Sequence, residues 1–357
     1  MPDIKFVPDE KLVGLLGKVP GDLKVTNVLS DDTAVWDRLD VAKPEEVVAG
    51  LRAARPFYSA KSVLMPASEV IVRYGRAGGD PLDDASRVTM AVIGVRGCEC
   101  RALTYLDRIM LDEPMADPFY QARRKNTTVV GVDCALAADS CFCNLLGETA
   151  YPEVNYDLNL SPIGRGFLVE AGTERGNQVI KNAASMLSDA TPAQVEERGS
   201  MHGRCAEQLA SQNAEYSFPE NYVASLPGTL DELLWRVEMA NCVQCGGCTA
   251  VCPQCYCFLL SDAALGPGAY ERARLWDSCQ FTGYSEMAGP PGTIKPDPRR
   301  EHMSKFQHRF AHKFWYNPLM LGILGCVGCG RCGDTCPGAI DLRRVLSQVN
   351  RAYAKHG

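Results

Sequence analysis

An α+β fold is predicted, with an N-terminal α/β domain over residues 1–226 followed by a mainly helical, cysteine-rich domain over residues 227–357. Two β-branched runs, residues 88–95 and 127–132, read as buried parallel strands joined through an apolar helical segment from Ala102 to Met110. Turn signals at Phe218-Pro219-Glu220 and Leu226-Pro227-Gly228-Thr229 set the boundary. Beyond it, Cys242-x-x-Cys245-x-x-Cys248-x-x-x-Cys252-Pro253 is repeated as Cys326-x-x-Cys329-x-x-Cys332-x-x-x-Cys336-Pro337, each run approached by a helix.

Taken in order, residues 23–29 alternate apolar and polar side chains as a strand does, and Pro44-Glu45-Glu46 opens a helix with proline and acid in its first turn. Residues 164–170 read as a strand and 178–188 as a helix; Thr191-Pro192 caps and starts another. Residues 231–240 carry helical periodicity into the first cysteine run. Between the runs, 270–276 reads as helical, 289–298 as a glycine and proline stretch, and the basic segment through Phe314 as a helix.

The repeated run is the spacing that holds [4Fe–4S] clusters: three closely spaced thiolates wrap one cubane, and the fourth, before proline, reaches the other. The expected assignment crosses over. Cys242, Cys245, Cys248 and Cys336 bind one cluster, while Cys326, Cys329, Cys332 and Cys252 bind the second. Gly246, Gly247, Gly328 and Gly330 let the intervening backbone fold tightly and aim N–H groups at sulfur. Zinc is the rival, but zinc knuckles use two separated pairs, not two identical four-cysteine runs closed by proline. The helices leading into each run favour the helical type of two-cluster ferredoxin domain over the small βαβ type.

The two parallel strands end in Arg96-Gly97-Cys98 and Asp133-Cys134, with Cys141-Phe142-Cys143 following. Equivalent strand ends lie side by side, so Cys98, Cys134, Cys141 and Cys143 are expected to converge as a third [4Fe–4S] site, against alternatives of zinc or structural thiols. Cys100 is left out of the four, and Cys205 reads as a core residue.

The 357 residues carry net charge −6 and 17 cysteines. Surplus acid argues against a nucleic-acid binder. No apolar run is long enough to span a bilayer and the first residues lack a secretory layout, so a cytoplasmic protein is expected, where thiols bind metal rather than pair as disulfides. Arg299, Arg300, Lys305, Arg309 and Lys313 are read as a solvated helix surface with an acidic partner as the alternative; His308 and His312 are read as surface residues too. No phosphate loop or nucleophile elbow is found. Cys255, Cys257 and Cys279 remain after the cluster ligands are assigned; they are read as packing thiols, with thiol–disulfide chemistry as the alternative.

The chain resembles the iron–sulfur electron-transfer proteins typified by the A component of anaerobic sulfite reductase and the β subunit of cytoplasmic sulfhydrogenase. The residues that carry the resemblance are Val95-Arg96-Gly97-Cys98-Glu99, Asp133-Cys134 with Cys141-Phe142-Cys143, Cys252-Pro253-Gln254-Cys255-Tyr256-Cys257-Phe258, Trp276-Asp277-Ser278-Cys279 and the second cysteine run. Glu99 and Cys100 stand where such proteins more often show Asp and a non-cysteine. The resemblance implies a non-catalytic subunit passing electrons from a flavin-containing, NAD(P)H-oxidising subunit to a catalytic reductase or hydrogenase subunit.

Overall fold

The computed structural model describes residues 3–31, 33–75, 78–230, 233–290 and 292–355. Among the described residues, eleven strands form two sheets: β1 Lys5–Pro8, β2 Leu23–Ser30, β3 Thr33–Arg38, β4 Ser68–Gly75, β5 Met90–Arg96, β6 Thr127–Val132, β7 Leu158–Ile163, β8 Gly166–Ala171, β9 Ser188–Asp189, β10 Phe258–Gly266 and β11 Ala269–Trp276. The larger sheet has the order β3-β2-β5-β6-β7-β8-β1-β9. Its centre, β2-β5-β6-β7, is parallel, and its flanks are antiparallel.

Every residue of β5 and β6 is buried because helices cover both faces. Ala91, Ile93, Val130 and Val132 face the layer containing Leu12, Leu16, Val47 and Leu51. Val92, Val95 and Val129 face the opposite layer, built from the helices Gly97–Met110 and Pro118–Asn126. The strand and helix expected at 23–29 and Pro44 are present, as is the Thr191 cap, completed by Gln194 as a capping box. The helix expected at 178–188 starts and ends earlier, Glu174–Asn182, with Thr173 as its cap.

The C-terminal part is organised by a helical core. Trp235, Phe306, Phe310, Phe314, Val345, Leu346 and Val349 pack together, with Phe142 of the N-terminal part inserted among them. Residues 231 and 232 of the expected 231–240 helix lie outside the described residues; the helix itself is Leu234–Met239. No helix among the described residues is long and apolar enough to cross a membrane.

One expectation is overturned. Residues 270–276, expected to be helical, form strand β11 in the hairpin β10–β11, and β11 pairs antiparallel with β4 from far earlier in the chain. The reason is tertiary: Arg274 lies opposite Glu69 in register and donates to it at 2.6 Å. Arg123 also pairs with Glu69, and Arg274 with Asp117. The short-range pattern of 270–276 contains none of those partners, and strand preference is decided by such neighbours. Glu69→Gln is expected to destabilise the protein by about 3 kcal/mol or more, since it leaves the Arg123 and Arg274 charges incompletely matched in a buried site; the urea midpoint checks it.

Candidate metal centres

Strands β5 and β6 run parallel with Arg96 opposite Val132, which carries the segments beyond them to one edge of the sheet. Cys98 sits in the first turn of the helix Gly97–Met110 and Cys134 in the loop after β6. Gly97 is required there: a Cβ would lie 2.5 Å from the Tyr151 carbonyl oxygen. Cys98, Cys134, Cys141 and Cys143 line one cavity, together with Gly328 and Cys329 of the second run. Cys100 is wholly buried in the helix–sheet core, with its thiol 3.9 Å from the Val95 carbonyl, and does not line that cavity. Cys205 is buried as expected, but its neighbours are Ala137, Cys143 and Leu209, with Cys134 and Cys141 beside them. Nothing local in its helix marks that position.

The two C-terminal runs repeat each other in backbone as well as spacing. Gln244 and Gly328, each just before the second cysteine of a run, are left-handed at φ 54° and 66°, and Gly246 and Gly330, just after it, both have φ 71°. Each of the latter glycines then starts a one-turn helix, Gly247–Ala250 or Arg331–Asp334. A Cβ on Gly246 would meet the Phe281 ring at 2.5 Å, and one on Gly330 would meet the Ser140 carbonyl oxygen at 2.1 Å. Cys242, Cys245, Cys248 and Cys336 line a single cavity, so the last cysteine of the second run does meet the first run. The Ile340 N–H donates to Cys336 Sγ at 3.4 Å. On the other side, the Cys252 thiol lies 3.3 Å from Lys313 Nζ, a cation that also neighbours Cys326.

Of the basic segment before the second run, Arg300 is exposed as expected and Arg299 is half-buried, but the other three residues are not a solvated surface. Lys305, Arg309 and Lys313 are 3, 7 and 5% exposed, and they point at the cysteine loops. Lys305 Nζ donates to Gln244 Oε1 at 3.4 Å; Arg309 stands between Cys248 and Cys332. Their spacing of four residues sets them in one stripe, beside a second stripe of buried Phe306, Phe310 and Phe314. Lys61, 4% exposed, reaches the loop after the first run, with Nζ 2.9 Å from the Cys255 carbonyl. Among the described residues none of these four cations is in an ion pair with a carboxylate; the groups around Lys61, Arg309 and Lys313 that can become anionic are cysteine thiols. His308 and His312, also read as surface residues, are half-buried and stacked at 5.7 Å, and burial lowers both to about 4.

Arg309 and Lys313, buried without a carboxylate partner, imply an anion in its place, because an uncompensated charge is costly to bury. Burial pushes Cys98, Cys143 and Cys326 up to about 12, so in isolation they are inert thiols; as ligands they are deprotonated by the metal. The thiols of the Cys242 set and of the Cys98 set each surround a cavity rather than a point, while Cys329 and Cys332 of the other set line those two cavities, and the glycines bring backbone where a Cβ has no room. These features fit polynuclear, anionic iron–sulfur groups.

Residues 241–340, which include all eight cysteines of the repeated runs, match the family model of a 4Fe-4S dicluster domain. Over 260 residues the chain is 30% identical to the β subunit of sulfhydrogenase 2 from Pyrococcus furiosus, covering 72% of this chain and 73% of that one. The chain belongs to this iron–sulfur subunit family. It is accordingly an iron–sulfur electron-transfer subunit with a ferredoxin-type domain at its C-terminal end.

Within this family member, the three cysteines left over by the cluster runs are gathered at the base of the β10–β11 hairpin. Cys255 and Cys257 line a third cavity, which also reaches Cys245, Lys61 and Trp276. Cys257 is in hydrogen-bond contact with the Cys279 thiol and with Tyr284; these contacts lower it to about 6, and its partner Cys279 is raised. That pairing depends on the hairpin, which the sequence pattern does not disclose.

Proposed function

We propose that the chain relays electrons between a catalytic subunit of hydrogenase or reductase type and a flavin-containing, NAD(P)H-oxidising subunit. The hydrogenase-type partner is supported by the name of the Pyrococcus relative. In this reading Cys242, Cys245, Cys248 and Cys336 hold one [4Fe–4S] cluster, Cys326, Cys329, Cys332 and Cys252 the second, and Cys98, Cys134, Cys141 and Cys143 a third. The division at residue 226 then separates the third site from the other two.

The contact between the third site and the second run carries this reading. The Cys141 thiol is 3.6 Å from the Cys329 carbonyl, and the Phe142 N–H donates to the Gly328 carbonyl at 2.7 Å. Cys332 in turn lines the cavity of the first run. The three thiol sets are therefore contiguous, as a relay requires. When bound, the clusters supply one-electron couples, within about −700 to +450 mV. The chain's part is to bury the thiols, offer N–H groups such as that of Ile340 to sulfur, and hold cations beside them.

Anaerobic iron and sulfide analysis of the purified chain, with EPR after reduction, tests the proposal. About twelve irons are expected at four per cubane. About eight would remove the third site, and an iron-poor, EPR-silent folded protein would overturn the relay.

The Cys257–Cys279 contact favours one second reading, thiol–disulfide chemistry at that pair. Cys279→Ser is then expected to abolish turnover of the complex while its iron content stays complete; unchanged turnover would leave these thiols a packing role.

A further inference from the structure

Lys305, Arg309 and Lys313 share one helical segment, and that segment changes character where it meets the thiols. The α-helix His302–Ala311 passes into a π-helical turn, His312–Tyr316, which contains Lys313. A π turn inserts an extra residue into a helix, and such turns are frequent at functional sites. Within it the Lys313 side chain is buried, with Nζ donating to the Gly325 carbonyl at 2.7 Å and to Cys252 Sγ at 3.3 Å. An asparagine closes the other end of this packing: Gly325 leaves no room for a Cβ, which would lie 2.4 Å from Asn317 Nδ2 and 3.0 Å from Lys313 Cα.

The three cations do not treat the two thiol sets alike. Lys313 touches a thiol of the Cys326 set directly. Arg309 is shared, standing between Cys248 and Cys332. Lys305 reaches only the Gln244 side chain of the first run. The Cys242 set also includes the exposed Cys245, where water screens charge, whereas Cys252 and Cys329 are buried.

We infer that Lys305, Arg309 and Lys313 form a fixed cationic rail that sets the relative reduction potentials of the two C-terminal clusters, making the one held by Cys326, Cys329, Cys332 and Cys252 the member that is easier to reduce. This rests on the cluster assignment proposed above. Adding an electron adds negative charge to the thiolate-bound group, and an adjacent ammonium in a low-dielectric site favours the more negative state. Lys313 is thus a tuning residue that acts through Cys252, and the electron rests nearest to it.

The test is an anaerobic, EPR-monitored potentiometric titration of the full chain, comparing wild type with Lys313→Met and Lys313→Arg. Lys313→Met is expected to move the higher midpoint negative by at least about tenfold in the one-electron equilibrium, which is about 59 mV. The lower midpoint moves less, and Lys313→Arg keeps the wild-type values. Unchanged midpoints at full iron content would overturn the inference, as would equal shifts of both. Should Lys313→Met lose iron, Arg309→Gln is read instead: it must lower both midpoints, because Arg309 lies between the sets, and unaltered values overturn the rail. Wild-type protein with fewer than about eight irons would sink the cluster assignment itself, an outcome separate from these.

Discussion

On the three-cluster assignment proposed above, Cys141→Ser is expected to lower the iron content of the purified chain from about twelve to about eight atoms, with the EPR signals of the two C-terminal clusters retained. The loss should be confined to the third site because Cys141 lies on the loop between β6 and β7, outside the repeated runs. The backbone of that loop is held independently of the thiol: Gln212 Nε2 and Asn213 Nδ2 donate to the Cys141 carbonyl at 2.8 and 3.0 Å. A serine can occupy the position without moving the chain, but its hydroxyl is a poor substitute for a thiolate on iron. Cys100→Ser should leave the iron content unchanged, since Cys100 faces the β5 backbone and not the cavity. Equal iron loss in both variants would mean that the fold, not a ligand, had been damaged. Iron loss from Cys100→Ser alone would reassign the edge.

Legibility in the sequence tracks the range of each interaction. The repeated runs encode a local geometry, so the meeting of Cys336 with Cys242, Cys245 and Cys248 around one cavity is visible from spacing alone. The convergence of Cys98 with Cys134 is also visible, because a β-branched strand, a helix and a second strand place equivalent ends together. Two features are hidden by distance. Strand β11 depends on Glu69, whose partner Arg274 is 205 residues away. The burial of Lys305, Arg309 and Lys313 depends on thiols of loops that flank their helix in sequence, and a charge stripe without visible anions reads as solvated. The phenylalanine stripe at 306, 310 and 314 is the signal available: a helix apolar on the face next to its charges has little surface left for water. Cys257 and Cys279 meet only because the hairpin between them closes.

Gly330→Ala is expected to destabilise the protein by about 2 to 5 kcal/mol, the sum of a left-handed backbone penalty and a steric clash. At φ 71° the backbone is one that alanine adopts only under strain, and its Cβ would lie 2.1 Å from the Ser140 carbonyl oxygen and 2.4 Å from the carbonyl carbon. The obstacle is main chain and cannot rotate away as a side chain would. Ser140 directly precedes Cys141, and Gly330 directly follows Cys329, so relief requires the loop of the third site and the second run to separate. That movement also strains Arg55, which bridges the two by donating to Ser140 Oγ at 2.9 Å and to Asp334 Oδ2 at 2.5 Å. Gly333→Ala is the matched control. It lies three residues on, in the helix Arg331–Asp334, with nothing within 4 Å of the added methyl, and should be neutral or slightly stabilising. Thermal unfolding of both variants, followed with iron content, separates the outcomes. A lower melting temperature and lost iron for Gly330→Ala alone would place the cost at the Ser140 contact; equal behaviour would show that the two loops part freely and that the contiguity of the thiol sets is not enforced by the backbone.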